Sequence, residues 1–285
     1  MEEIKTWKLW SHFAGYFLCF VLAGVITAIP RFIIGFENES GLVVFITEML
    51  RIPISIALLY FYTKYVSRLE LNKETLSTTG FNFWIWGAVG LTLPLAVLLI
   101  FYLFGNLNIL ATNFQLSDEI IFDNVLKALG MSLAAGIIEE VVFRGYLVNL
   151  LAKKYSFWVA GIVPSFLFTI VHLGAAHSLL NVFQLLVAGM LVSIMFLAIY
   201  KKTGSIWNAS IVHFLWNFLF LEELIDYGEG NEPIHKLMEL DLGQNQFLTG
   251  GAFGLDVSFP AIIIYSITLI ITWKFLKQKT AYNKT

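Results

Sequence analysis

The sequence has few charged residues for its length. Only 13% of its 285 residues are Asp, Glu, Lys or Arg, whereas about 25% is usual in a soluble domain. Hydrophobic residues make up 58% of the chain, and apolar runs of about 20 residues, long enough to cross a hydrocarbon layer about 30 Å thick, recur along it. This composition predicts an integral membrane protein in contact with the lipid bilayer. The net charge of -2 says nothing further about partners, and the lack of a basic stripe indicates no nucleic-acid partner.

Cysteine is nearly absent too. Cys19 is the single cysteine, which excludes an intrachain disulfide and any metal site built from cysteines. We interpret it as a small packing residue within an apolar run. The sequence also lacks Gly-x-Ser-x-Gly and His-Glu-x-x-His, the motifs of common serine hydrolases and zinc peptidases. No clear small-residue cleavage site follows the first apolar run, so this run is predicted to be retained as a helix.

Eight apolar runs predict an all-α integral membrane protein, a bundle of about eight transmembrane helices with the active site inside the core helices. No internal repeat or linker divides residues 1–285, which are predicted to form a single polytopic membrane domain. The largest segment between runs, 222–253, is broken up by glycines and a proline, and it predicts either a short surface helix around 234–240 or a lid over the membrane core. The predicted spans are 12–34, 41–63, 83–104, 124–151, 156–176, 179–200, 205–221 and 256–275.

Lysine and arginine are distributed unevenly between the two sides of this bundle. If both termini are cytoplasmic, most of the 18 basic residues fall in inner loops and only Lys236 falls in an outer one. Because cytoplasmic loops are enriched in Lys and Arg, this asymmetry predicts cytoplasmic termini. The chain is compact and has lysines near both ends, and we interpret it as a protein of a bacterial plasma membrane. The inner basic residues are Lys5, Lys8, Lys64, Arg68, Lys73, Lys153, Lys154, Lys201, Lys202, Lys274, Lys277, Lys279 and Lys284.

Three charged side chains interrupt the fourth predicted span. Glu139 and Glu140 are adjacent, and Arg144 follows one turn later. Each charge at the centre of a membrane helix costs roughly 2.5–3.5 kcal/mol on insertion scales, so we expect these charges to be paired inside the bundle or used in chemistry. Glu140 and Arg144 share a helix face and can pair. Glu139 points about 100° away and is predicted to remain available for a reaction.

Polar residues also interrupt two later spans. His172 lies in the fifth span, while His213 and Asn217 lie four residues apart in the seventh. Histidine titrates near neutral pH, which suits proton transfer, although a single membrane histidine is more often a hydrogen-bonded core residue. His213 and Asn217 share a helix face and can donate two hydrogen bonds to the same point.

Together these side chains supply the parts of a hydrolase. A carboxylate and a histidine can activate water by general base catalysis, and a second histidine with an amide can stabilise the oxyanion of a tetrahedral intermediate. A zinc ion held by one glutamate and two histidines is the alternative. Because the candidate ligands are spread over three helices, we prefer water activation without a metal or other cofactor.

Three motifs in order resemble the CPBP family of integral membrane proteases, also called the CAAX-protease and bacteriocin-processing or Abi family. Its relatives include the type II CAAX prenyl endopeptidases. The resemblance implies an intramembrane endopeptidase that hydrolyses a peptide bond of a membrane-associated protein or peptide. The motifs, in a core at 120–221, are Glu139-Glu140-x-x-x-Arg144, Phe168-x-x-x-His172 and His213-x-x-x-Asn217. The roles implied by the resemblance are water activation by Glu139 and His172, an oxyanion hole of His213 and Asn217, and structural support of the site by Glu140 and Arg144.

Two other classes of protein remain open. One is a non-catalytic membrane protein that binds a peptide or partner, such as a bacteriocin-immunity protein of the same family, although retention of all the motif residues argues against it. The other is a transporter whose charges form an ion path, but no inverted repeat with matched broken helices is found. Glu48 with Arg51 is interpreted as a packing or snorkelling pair, and Asn181 with Gln184 as lining a cavity mouth.

Overall fold

The structure is a computed structural model that describes residues 4–35, 40–112, 116–176, 178–220, 224–227 and 236–275. In these residues, helices occupy all eight predicted span positions. The helices are α1 (Thr6–Ile34), α2 (Gly41–Phe61, continued by a π-helix at Tyr62–Ser67), α3 (Asn72–Thr75), α4 (Phe83–Leu103), α5 (Asp118–Glu139), α6 (Val148–Leu151), α7 (Phe157–Val171), α8 (Leu179–Thr203), α9 (Ile206–Phe220), α10 (Gln246–Thr249) and α11 (Phe259–Phe275). A second π-helix, Glu140–Leu147, joins α5 to α6.

Four of these helices are long and apolar enough to cross a membrane: α1, α2 with its π-helical extension, α4 and α8. Helices α7, α9 and α11 are apolar but shorter. The mostly helical membrane architecture is therefore confirmed, while the count of eight spans stays a prediction. Helix α7 ends at Val171, before the predicted span end at residue 176, and a 3-10 turn at Leu173–Ala175 follows it.

Local sequence signals set several helix ends. The side chains of Ser40, Asn82 and Ser178 accept hydrogen bonds from backbone N–H groups in the first turns of α2, α4 and α8. These bonds satisfy donors that the helix itself leaves unpaired. Gly35 directly follows α1 and Gly204 directly follows α8, with φ of 88° and 76°, a backbone conformation that glycine adopts without steric cost.

A three-stranded sheet departs from the all-α prediction. Strand β1 (Asn108–Thr112) pairs antiparallel with β3 (Met238–Asp241), and β2 (Ile225–Asp226) pairs parallel with β3, in the order β1-β3-β2. The surface helix predicted around 234–240 is therefore wrong over the part that the structure describes. Pairing with β1 and burial of Leu240 stabilise a strand here, because tertiary contacts override a weak local preference.

Two close contacts position α5 between α2 and α9. At Gly130 a Cβ atom would lie 2.9 Å from a backbone Cα of α2, and at Gly136 it would lie 2.7 Å from the backbone nitrogen of Phe214 in α9. Glycine fits at these positions because any side chain would collide with the neighbouring backbone. The contact at Gly136 brings the end of α5, where Glu139 lies, against the middle of α9, where His213 lies.

Buried apolar side chains form two clusters within the described chain. One cluster includes side chains of α4, α8, α9 and α11, and the other includes side chains of α1, α7 and the π-helix that follows α5. The candidate site lies where the two clusters meet, since its walls include Trp216 from the first and Phe168 from the second.

Candidate active site

The charged motif of the fourth predicted span lies at the junction between α5 and its π-helical continuation. Glu139 is the last residue of α5, and all eight residues from Glu140 to Leu147 are buried. The π-helix has wider turns than an α-helix and occurs frequently at functional sites. Glu140 and Arg144 therefore lie inside the protein and not on a lipid-facing surface, while Glu139 is partly buried, with 16% of its side chain exposed.

Arg144 is enclosed by protein on every side. Its Nη1 donates to Glu140 Oε1 and its Nη2 donates to Ser193 Oγ, both at 2.9 Å. The centre of the guanidinium lies 4.3 Å from the ring centroid of Phe168 and 5.2 Å from that of Phe196. The carboxylate supplies the counter-charge that a buried arginine requires, and the two rings add cation–π attraction. Arg144 thus joins the π-helix to α7 and α8.

His213 lies between the two glutamates of the motif. Its Nδ1 is 3.0 Å from Glu140 Oε1, and its Nε2 is 3.8 Å from Glu139 Oε2. Because a carboxylate accepts hydrogen bonds, Nδ1 is a protonated nitrogen of the ring and donates a hydrogen bond to Glu140. The imidazole ring also stacks on Phe196, with ring centroids 5.0 Å apart. Glu140 therefore touches the site itself, beyond the structural support that the resemblance implied.

His172 directly follows Val171, the last residue of α7. Its Nδ1 is 2.7 Å from the backbone carbonyl oxygen of Phe168. A carbonyl oxygen accepts, so Nδ1 is the protonated nitrogen and Nε2 of the neutral ring is left to accept a proton or a hydrogen bond. The phenylalanine of this motif consequently has two contacts, because its ring covers Arg144 and its backbone orients His172.

Glu139, His172, His213 and Asn217 line one cavity of about 300 Å³. Glu139 comes from the end of α5, His172 from the end of α7, and the other two from α9. This volume is at the small end of the range for ligand sites. The structure thus brings together the four residues that the motifs predicted, and their catalytic roles stay a prediction.

The cavity also has an acidic residue that the motifs did not predict. Asp256 lies in a 3-10 turn before α11, and its carboxylate accepts a hydrogen bond from the indole N–H of Trp216. The hydroxyl of Tyr265 donates to the backbone carbonyl of Asp256 at 3.2 Å, which ties the turn to α11. The sequence signal for this residue is an isolated acid at the start of the last predicted span.

A segment before α11 closes one side of the cavity. Asn181 Nδ2 donates to the backbone oxygen of Gly250, and Gln184 Nε2 donates to that of Phe247, both at 2.9 Å. Phe253, farther along this segment, lines the cavity. The lid over the membrane core stays a prediction. Asn181 and Gln184 anchor that segment, whereas we expected them to line a cavity mouth.

A second group of charges reaches the cavity from α2. Glu48 Oε1 accepts from Arg31 at 3.1 Å, and Glu48 Oε2 accepts from Arg51 at 3.3 Å. Both Glu48 and Arg51 line the cavity together with Glu139. The interpretation of Glu48 and Arg51 as a packing or snorkelling pair is therefore incomplete, because these residues face the candidate site.

Over the described part of the chain, no three His, Cys, Asp or Glu side chains are arranged so that they could hold a metal ion. The zinc alternative would use Glu139, His172 and His213. Nδ1 of each histidine is already engaged, by a backbone carbonyl in one and by Glu140 in the other. Nε2 of both rings remains available, which is also how zinc-binding histidines are held, so water activation without a metal stays a prediction.

Residues 121–219 match the family described as Type II CAAX prenyl endopeptidase Rce1-like. This range contains all three motifs. The resemblance to the CPBP family is confirmed. Asp256, Glu48 and Arg51 lie outside the matched range, although the structure places them around the same cavity.

A protein of Bacillus subtilis (strain 168) described as "Putative membrane peptidase YdiL" is 28% identical to the chain over 154 residues. The match covers 54% of this chain and 57% of the relative, so the chain spans little more than half the length of that relative. No solved structure shows a significant match.

Proposed function

We propose that the chain is an intramembrane endopeptidase, which hydrolyses a peptide bond of a membrane-associated protein or peptide. The observation that carries this proposal is the convergence of Glu139, His172, His213 and Asn217 on one cavity in a bundle with long apolar helices. Ionisable residues inside a membrane bundle are costly and mark functional sites. The similarity to membrane peptidases supports the same class of reaction.

Glu139 is the proposed general base. A water molecule in the cavity transfers a proton to the Glu139 carboxylate as its oxygen bonds to the substrate carbonyl carbon, and the carbonyl π electrons move onto the carbonyl oxygen. His172 Nε2 accepts the other hydrogen bond of this water, because Nδ1 is held by the backbone of Phe168. The water is thereby oriented before it attacks.

His213 and Asn217 are the proposed donors to the oxyanion. Since Nδ1 of His213 donates to Glu140, its Nε2 donates to the oxyanion when the ring is an imidazolium. Glu140 supplies the counter-charge, because Glu139 has become neutral by taking the proton of the water. Asn217 donates from its side-chain amide. When the intermediate collapses, the C–N bond breaks and the proton on Glu139 passes to the leaving nitrogen. The products are a carboxylic acid and an amine. The acid contains the oxygen and one hydrogen of the water, and the amine contains the other hydrogen.

The test compares the membrane and secreted peptides of cells that carry the wild-type chain, Glu139→Gln or Glu119→Gln at equal abundance. Glu119 is exposed in the first turn of α5 and controls for the loss of one acid from the same helix. We expect cleavage products with the wild type and the control that are absent with Glu139→Gln. The same peptides in all three strains would contradict the proposal, and a phenotype that survives Glu139→Gln would favour a binding or immunity protein.

A further inference from the structure

A charged pair on α2 lies at the level of the proposed general base. Gly41 of α2 packs against Asp123 of α5, and Phe45, farther along α2, packs against Gly130, farther along α5. Because the contacts advance together along both helices, α2 and α5 run in the same direction. Continuing this register along α2 brings Glu48 and Arg51 alongside the last turns of α5. Both residues line the cavity with Glu139. A positive charge therefore lies in the same enclosed space as the proposed reaction.

Arg51 is incompletely paired at this position. Its Nη1 donates to Glu48, but the other oxygen of that carboxylate accepts from Arg31, so the counter-charge is shared. The Nε–H of Arg51 is buried and has no hydrogen-bond partner among the described residues, although buried polar groups are normally paired. A quarter of the side-chain surface remains exposed (25%). The guanidinium, which also lies 5.7 Å from the ring centroid of Phe20, thus keeps one N–H donor without a partner among the described residues and a counter-charge that it shares with Arg31.

The depth of Arg51 argues against a lipid headgroup as the missing partner. From Gly41 to Arg51, α2 rises about 15 Å at 1.5 Å per residue, which is about half the thickness of a hydrocarbon layer. Lipid phosphates lie at the surface of that layer. A peptide that reaches Glu139 for hydrolysis must enter the cavity that Arg51 lines.

We propose that Arg51 binds a carboxylate of the peptide substrate, either its C-terminal carboxylate or an acidic side chain. This proposal rests on the proposed peptidase function. The planar guanidinium matches the geometry of a carboxylate, and the ion pair with Glu48 restricts its position. Because the cavity has a volume of only about 300 Å³, the bound carboxylate lies a few residues from the cleaved bond. Arg51 would select peptides that carry a negative charge close to the bond that is hydrolysed.

The test measures binding by full-length chain that carries Glu139→Gln, in phosphatidylcholine nanodiscs. Three pools of BODIPY-labelled hexapeptides of Ala, Leu, Val and Phe are titrated by fluorescence anisotropy. The first pool has a free C-terminal carboxylate, the second a C-terminal amide, and the third a C-terminal amide with one internal glutamate. The titrations are repeated with Arg51→Gln and with Lys64→Gln. Lys64 is exposed on the π-helix that continues α2 and controls for the loss of one positive charge.

We expect at least one acidic pool to bind about tenfold more tightly than the amide pool, the effect of one charge-assisted hydrogen bond. Arg51→Gln should abolish this preference and Lys64→Gln should retain it. A preference for the first pool alone identifies the C-terminal carboxylate, and a preference for the third alone identifies an acidic side chain. Equal binding of the three pools, or a preference that survives Arg51→Gln, would overturn the proposal.

Two further arms separate the alternatives. If Arg51→Gln fails to fold, Arg51→Lys takes its place. Lysine keeps the positive charge but lacks the planar guanidinium, and we expect a smaller preference for the acidic pools. An unchanged preference would overturn the proposal.

If the preference disappears in nanodiscs that contain phosphatidylglycerol, Arg51 binds anionic lipid and the peptide proposal is wrong. Because the assay uses a variant without the general base, equal binding leaves the peptidase proposal standing, and a lack of cleavage in cells leaves the carboxylate site standing.

Discussion

At the scale of single residues, Glu140 holds the charges of the site together. Its Oε1 accepts from both Arg144 and His213, and its side chain is fully buried. Removing one partner of a buried ion pair leaves an uncompensated charge and costs about 3–5 kcal/mol. We expect Glu140→Gln to lower the free energy of unfolding by about this amount and to reduce activity, because His213 loses its charged acceptor. Unfolding in detergent and peptide release measure the two effects.

Ser193→Ala is the matched control for Glu140→Gln. It removes one hydrogen bond from Arg144 but leaves the ion pair and the contact with His213 in place. The expected loss of stability is about 1–3 kcal/mol, that of one buried donor left unpaired. If Glu140→Gln were as abundant, stable and active as the wild type, the assignment of Glu140 as the shared counter-charge would be wrong.

Asp256 supports a second prediction at this scale. Its carboxylate accepts from the Trp216 indole, so Asp256→Ala leaves a buried donor unpaired and should cost about 1–3 kcal/mol. Asp256→Asn keeps an acceptor oxygen at the same place and should retain most of that stability. Thermal unfolding of both variants checks the difference. Equal stability of the two variants would show that the hydrogen bond does not fix the turn before α11.

At the scale of helices and strands, Gly136 sets the distance between α5 and α9. A Cβ atom there would lie 2.7 Å from the backbone nitrogen of Phe214, so Gly136→Val must push the two helices apart. This shift would move Glu139 away from His213. A displacement of about 1 Å costs on the order of 100-fold in rate, and we expect a loss of activity of that size.

Gly87→Ala is the control for the change at Gly136. Its Cβ atom would make an ordinary contact of 3.7 Å with Ile211 of α9, and alanine favours a helix more than glycine does. We expect its activity to equal that of the wild type. Equal activity of Gly136→Val and Gly87→Ala would show that the close approach of α5 and α9 does not position the site.

The positions of the helices and the grouping of the motif residues could be predicted from the sequence, because long apolar runs and four-residue spacings have direct physical causes. The π-helix at Glu140–Leu147 was not predicted, since a period of 3.6 residues was assumed through the motif. Strand β3 depends on pairing with β1, more than 100 residues earlier in the chain, and no local pattern contains that information. The place of Asp256 at the site was not predicted for the same reason, because its contact with Trp216 forms only when the bundle packs.

At the scale of the whole molecule, the cavity is built from distant parts of the chain. Its walls include Arg51 from α2, Glu139 from α5, His172 from the end of α7, Asn217 from α9 and Asp256 before α11. The range that matches the family, 121–219, supplies only part of this enclosure. The proposed chemistry lies in that range, while the proposed selection of an acidic peptide comes from a helix that precedes it.

The orientation of the whole bundle gives the last prediction. Lysine and arginine asymmetry predicts cytoplasmic termini, which places the start of α5 outside the cell and the loop after α6 inside it. Cys19 is the single cysteine, so Cys19→Ser provides a background in which Glu119→Cys or Lys153→Cys introduces one thiol. Both positions are exposed. A membrane-impermeant maleimide on intact cells should label position 119, and should label position 153 only after the cells are permeabilised. The opposite pattern would reverse the orientation, and it would also place the basic loops outside the cell.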